Sequence, residues 1–248
     1  MRTLFQGVVI TLAIVLCVPH PAAGQDPLSP EALLQLKSVS AVHLSPDGTE
    51  VIYSVSTPRG PNDEPGGASR QYLRASVSSW KPAPLFEDLT GASSPQYSPD
   101  GSYIGFIYAE KDEPGQVWMM QAGGGEIRKL TNAPSGVSQF KWQPGKRGIA
   151  YLSSEAVSER EKELKKRGYG FIYYEENLKD SHLYLAGYDE DWKQTSLWQL
   201  THEGNAWDFE FDHQGSQIAA SISPRNLIDH RYMFRKVHVI DLESGHMR

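Results

Sequence analysis

Apolar and polar residues alternate with period two on either side of four short polar interruptions. Each pair of runs predicts two antiparallel strands joined by a tight turn. The interruptions are Ser45-Pro46-Asp47-Gly48, Ser98-Pro99-Asp100-Gly101, Gln143-Pro144-Gly145-Lys146 and Asp212-His213-Gln214-Gly215. One and three places before them stand Leu44 and Val42, Tyr97 and Pro95, Trp142 and Phe140, Phe211 and Phe209. Beyond them the apolar face returns at Val51 and Tyr53, Ile104 and Phe106, Ile149 and Tyr151, Ile218 and Ala220. In the first two copies proline presets the second turn position and glycine accommodates the fourth. The third and fourth copies depart from this, with Lys146 in place of the glycine and His213 in place of the proline.

Further strands are predicted at 72–77, 117–120, 182–186 and 236–242. A short segment then runs into Leu89-Thr90, Leu130-Thr131 or Leu200-Thr201 before the next copy. Four strands per unit, with turn starts 53, 45 and 69 residues apart, fit the blade of a β-propeller better than a sandwich. The predicted fold is all-β, a partial β-propeller of about four four-stranded blades over residues 39–248. The last copy reads Gly245-His246-Met247-Arg248 and ends short of its own Leu-Thr, so the fourth blade is expected to be incomplete and the chain to be a fragment.

The long third interval holds an insertion at 154–181 with a helix signal. Ser158 and Glu161 form a capping box, Glu161 and Lys165 lie at pairing distance along a helix, and Gly168 supplies a stop. A second short helix is predicted within an extension at 25–38, with Ser29 as cap, Pro30 in the first turn, and Leu33, Leu34 and Leu36 packing. Residues 58–69 read as a loop. Before the extension, Arg2, an apolar run over 4–18 and the small residues Ala22, Ala23 and Gly24 read as a signal peptide over 1–24 cut before Gln25. That run is short for a membrane span. Export to a periplasmic or extracellular space follows, with no stable span after cleavage. The single cysteine, Cys17, falls in the leader, so stability must come from packing without disulfides.

A formal charge of −6 argues against nucleic-acid binding, which needs a basic surface for phosphates. No G-x-S-x-G, phosphate loop or H-E-x-x-H occurs, and the eight histidines are scattered. No catalytic residue, metal ligand or cofactor site is therefore expected in these residues. Two constellations remain. The residues two places before each turn, His43, Gln96, Lys141 and Glu210, point away from the apolar face and would line the central channel of a propeller. In the insertion, Tyr173-Tyr174-Glu175-Glu176 offers adjacent carboxylates, Glu175 and Glu176, that would hold a cationic group such as the free amino terminus of a peptide.

The Ser-Pro-Asp-Gly turn, the Leu-Thr pairs, and the opening from Leu28-Ser29-Pro30-Glu31 through Val39-Ser40 to the first turn resemble the propellers of the prolyl oligopeptidase family of serine peptidases. The acylaminoacyl-peptidase and dipeptidyl-peptidase branches are the most similar. The resemblance implies a carboxy-terminal α/β-hydrolase domain with a Ser, Asp and His triad, absent from this sequence, to which the propeller admits peptides. It also implies a glutamate pair for the substrate's amino terminus, which Tyr174-Glu175-Glu176 matches loosely. The same turn motif is similar to TolB-like periplasmic propellers, which bind protein partners. That alternative predicts further blades but no hydrolase domain.

Overall fold

The computed structural model describes residues 29–60, 62–170 and 175–248. The expected leader at 1–24 lies outside the described residues, as do Tyr173 and Tyr174. Three antiparallel sheets of four strands each follow in chain order, every strand hydrogen-bonded to the next. The first blade comprises β1 (Ser38–Leu44), β2 (Glu50–Thr57), β3 (Ser69–Ser76) and β4 (Pro82–Pro84). The second comprises β5 (Ser93–Tyr97), β6 (Tyr103–Tyr108), β7 (Gln116–Gln121) and β8 (Arg128–Lys129). The third comprises β9 (Gln139–Trp142), β10 (Gly148–Ser154), β11 (Ser181–Tyr188) and β12 (Gln194–Gln199). The fourth has three strands, β13 (Asn205–Phe211), β14 (Gln217–Ser223) and β15 (Lys236–Asp241), and begins a further pairing at the Ile240–Met247 bridge.

The blades stack face to face, and a separate apolar cluster fills each of the three gaps. Strand alternation explains how one sheet serves two gaps. Ile149 and Tyr151 of β10 join Val117 and Met119 of blade 2, while Ala150 and Leu152 join Phe209 and Ile218 of blade 4. In β7, Trp118 and Met120 turn the other way, to Ile52 and Tyr72 of blade 1. Strands buried on both faces carry near-continuous apolar runs, which is how Val117-Trp118-Met119-Met120 reads.

The turns of blades 1, 2 and 4 share one backbone geometry, with a left-handed glycine at the fourth place, reached by different side chains. In blades 1 and 2 the Ser45 and Ser98 hydroxyls each donate to the Asp two places on at 2.6 Å. Each also accepts from the first N–H of the following strand at 2.9 Å. Gly48 and Gly101 take φ of +71° and +75°, where a side chain is strained. In blade 4 the Asp212 carboxylate sits at the first place and accepts directly from Ser216 N at 2.7 Å and Gln217 N at 2.9 Å. Blade 3 explains its missing glycine: the left-handed residue moves one place earlier, to Gly145 at φ +68°, which frees Lys146 from that conformation.

Other expectations need correction. The Leu-Thr pair has a structural purpose in blades 2 and 3, where Leu130 N and Leu200 N donate to Val117 O and Leu183 O. The threonine hydroxyls then accept from the N–H of those same residues at 2.9 Å. In blade 1 the equivalent donor is Leu85, bonded to Tyr72 O, so Leu85-Phe86 holds this place and Leu89-Thr90 lies in the connection beyond. The first helix, α1 (Pro30–Leu33), is capped by Ser29 as predicted. However, Leu33, Leu34 and Leu36 do not pack and are about half exposed, because a single turn presents no face to the sheets. The insertion helix α2 (Glu159–Lys166) has its capping box and buries no residue. Glu161 there pairs with Lys179 Nζ at 3.1 Å instead of Lys165.

Candidate functional site

The predicted polar residues lie on β1, β5, β9 and β13, and three of them, Gln96, Lys141 and Glu210, make contacts between blades. Lys141 of β9 forms an ion pair with Glu210 of β13. Two residues earlier on the same faces, Gln139 Nε2 donates to Asp208 Oδ1 at 2.7 Å. Gln96 of β5 donates to the Phe140 carbonyl at 2.8 Å, and Trp142 Nε1 returns a bond to the Gln96 carbonyl at 3.3 Å. His43 follows a bulge in β1. Its pKa lies below the ordinary value of 6.5, first because burial disfavours the charged ring and second because the Lys141 ammonium faces it. Side chains thus tie β5 to β9 and β9 to β13, and Lys141 and Glu210 pair their charges across the gap between blades 3 and 4. Gln139 has no signal of its own in the sequence, although the alternation that selects Lys141 and Glu210 also selects the residues two places earlier, Gln139 and Asp208.

Among the described residues, no group of three His, Cys, Asp or Glu converges to hold a metal. Asp208 and Glu210 accept from blade 3 and Asp212 caps the turn that follows β13, so the three acids are engaged separately.

The insertion returns to the sheets through Glu175 and Glu176. Both are exposed, Glu175 at φ +59°, and neither carboxylate has a hydrogen bond or ion pair among the described residues. The backbone around them is anchored. Arg225 Nη2 donates to the Glu175 carbonyl at 3.3 Å, and Asn226 bonds the Asp180 carboxylate and the Lys179 carbonyl. At the helix end, hydrogen bonds from Asn177 and then Ser158 and Lys179 push the Glu161 carboxyl down to about 2. Arg225 and Asn226 belong to the β14–β15 connection. That connection continues into a π-helical turn, His230–Phe234, with Tyr232 77% and Met233 75% exposed. The two longest connections of blades 3 and 4 therefore meet on the side opposite the four hairpin turns. Arg225 carried no signal in the sequence, because its partner is a backbone carbonyl.

No family model matches the chain. Two curated relatives do. It is 30% identical over 139 residues to the uncharacterized peptidase YuxL of Bacillus subtilis, covering 48% of this chain and 21% of that protein. It is 25% identical over 153 residues to dipeptidyl-peptidase 5 of Porphyromonas endodontalis, covering 57% of this chain and 22% of that protein. The chain thus spans about a fifth of the length of the curated relatives it matches. Among solved structures, the acylaminoacyl peptidase of Pyrococcus horikoshii superposes with a TM-score of 0.57 at 14% identity, over 86% of this chain and 32% of that one. TolB from Acinetobacter baumannii gives 0.53 at 14% identity, over 86% and 43%. The molecule is a partial β-propeller of the class that peptidases carry. Its sequence relatives are peptidases.

Proposed function

We propose that this chain is the amino-terminal propeller part of an exported serine peptidase, and that it gates or binds peptides on their way to an α/β-hydrolase domain encoded further on. The observation that carries this reading is the match to a peptidase at 30% identity over 139 residues, by a chain that spans 21% of that relative. The exposed apolar side chains of β1, Val39, Val42 and Leu44, support it, since a further blade would cover them. On this reading Glu175 and Glu176 hold the amino terminus of the peptide. The row His43, Gln96, Lys141 and Glu210 forms the channel wall that the peptide meets. TolB-like propellers share the fold to a similar degree, so the second reading is a stand-alone propeller that binds protein partners.

One experiment separates them. Extending the reading frame past codon 248 should reveal more blades and then G-x-S-x-G. The purified full-length product should then cleave peptide p-nitroanilides and lose that activity to a serine-directed fluorophosphonate. More blades followed by termination without a hydrolase domain would favour the TolB-like reading, and a stop directly after Arg248 would refute the peptidase reading.

A further inference from the structure

The hairpin joining β11 to β12 carries a tryptophan in an unfavourable conformation. The Asp189 carboxylate accepts from Asp191 N at 3.0 Å and Lys193 N at 2.9 Å, and the tip so fixed holds Trp192 at φ +59°, a region costly for a large side chain. Trp192 folds back over the gap between blades 2 and 3. It lies edge-on to Tyr103 at 5.0 Å and to Trp142 at 5.6 Å between ring centres. Cavities of about 340 and 440 Å³ open beside it, and Tyr103 and Trp192 line both. The indole Nε1 is buried without a hydrogen-bond partner, a donor left unmet where buried donors are normally paired.

Charge decides what would fit the larger cavity. Its edge carries Lys146 and Arg147 against one carboxylate, Asp100. Asp100 already accepts from the Ser98 hydroxyl at 2.6 Å and Ser102 N at 3.1 Å. Arg147 donates to the Glu190 carbonyl at 2.8 Å and lies 5.9 Å from the centre of the Trp192 ring, so the position a ligand cation would take over that ring is filled. Lys146 is exposed and has no ion pair among the described residues. An aromatic floor with a free ammonium at its edge, in a chain of net charge −6, selects a single negative charge on an apolar body.

We propose that the groove between the first turns of blades 2 and 3 binds an apolar group that ends in a carboxylate. Trp192 and Tyr103 would flank the apolar part, and Lys146 would take the charge. The free carboxyl end of a short peptide and a simple aliphatic acid share this chemistry. The site lies on the hairpin-turn side, away from Glu175, and does not depend on the peptidase reading.

The test uses the 248-residue chain labelled with ¹⁵N, with the Trp192 indole resonance assigned through Trp192→Phe. It is titrated with N-acetyl-glycyl-leucine, its carboxy-terminal amide, and 4-methylpentanoate. The acid should move the Trp192 resonance saturably, the amide should bind at least about tenfold more weakly, and Lys146→Met should weaken the acid by about tenfold while leaving the amide unchanged. Tighter binding of the acetylated dipeptide than of 4-methylpentanoate identifies a peptide end, and equal binding identifies a simple acid. Equal affinity for acid and amide, an acid affinity unchanged by Lys146→Met, or no saturable shift at Trp192 would overturn the proposal.

Discussion

Trp142 and Leu44 occupy the same place in the repeat, immediately before the first turn of their blades, yet Trp142 is 7% exposed and Leu44 62%. Trp142 faces a neighbouring blade in the gap between blades 2 and 3. Leu44 stands with Val39 on the face of blade 1 turned away from blade 2, and both side chains are exposed. Both strands form for the same local reasons, the alternating pattern and the turn that follows. What differs is the next sheet. In a stacked-blade fold the strand is encoded locally, but the burial of its side chains is supplied by the neighbouring repeat.

That contrast can be broken most directly by truncating both residues. Trp142→Ala should lower unfolding stability by about 3–5 kcal/mol, as large buried aromatics do. Leu44→Ala should cost under about 1 kcal/mol, the range of an exposed position. Urea midpoints of the two variants provide the comparison. Equal losses would mean that the blade 1 face is covered in solution, and the two regions would then not differ.

The glycines at the turns sharpen the same contrast at smaller magnitude. Gly48 and Gly215 both adopt φ near +70°. A Cβ on Gly48 meets nothing within 4 Å, whereas one on Gly215 would stand 2.3 Å from the Pro144 carbonyl of the next blade. Gln143 Nε2 also reaches across that seam to the Gly215 carbonyl at 2.7 Å. Gly48→Ala should cost about 1–2 kcal/mol, the strain of the left-handed conformation alone. Gly215→Ala should cost about 1–3 kcal/mol more, through overpacking at the seam. Thermal melts of the two variants measure the difference.

Local chemistry was therefore legible in the sequence and contacts between repeats were not. Alternation located the inner and second strands of all four blades, and the capping box located α2, because both signals are written within a few residues. Leu89-Thr90 misled because the motif was matched by composition, whereas Leu85 is the residue placed to bond Tyr72 O. Leu33, Leu34 and Leu36 look like a packing face, but nothing in a one-turn helix says which sheet would receive them. In the candidate site, the period-two rule brought out His43, Gln96, Lys141 and Glu210. Their partners, including a backbone carbonyl of the next blade, depend on how the blades stack.

The insertion should respond independently of the stack. Because α2 buries no residue, Ser158→Ala should remove about 1 kcal/mol of local helix stability and leave the global melt unchanged. Amide exchange over 159–166 should accelerate while exchange in β10 and β11 does not. A matching loss in the global melt would show that the insertion is coupled to the blades.

The smallest expected effect concerns His43, which stands on the open blade but feels a charge from a stacked one. Burial and the Lys141 ammonium hold its pKa below 6.5, so the folded protein prefers the neutral ring. Between the folded value and 6.5 the unfolded chain binds more protons than the native state, and stability therefore rises with pH across that window. The melting temperature should be level above pH 6.5 with respect to this group, decline as pH falls from 6.5 toward the folded value, and level off below it. Lys141→Met removes the second cause and leaves the first, so the His43 pKa should rise part of the way toward 6.5, and the decline, which still begins near 6.5, should end at a higher pH and be smaller in total. A ring-proton NMR titration follows the shift directly. An unchanged His43 pKa in Lys141→Met would mean that the charge on blade 3 does not reach blade 1, and that the inner row acts as separate pairs and not as one wall.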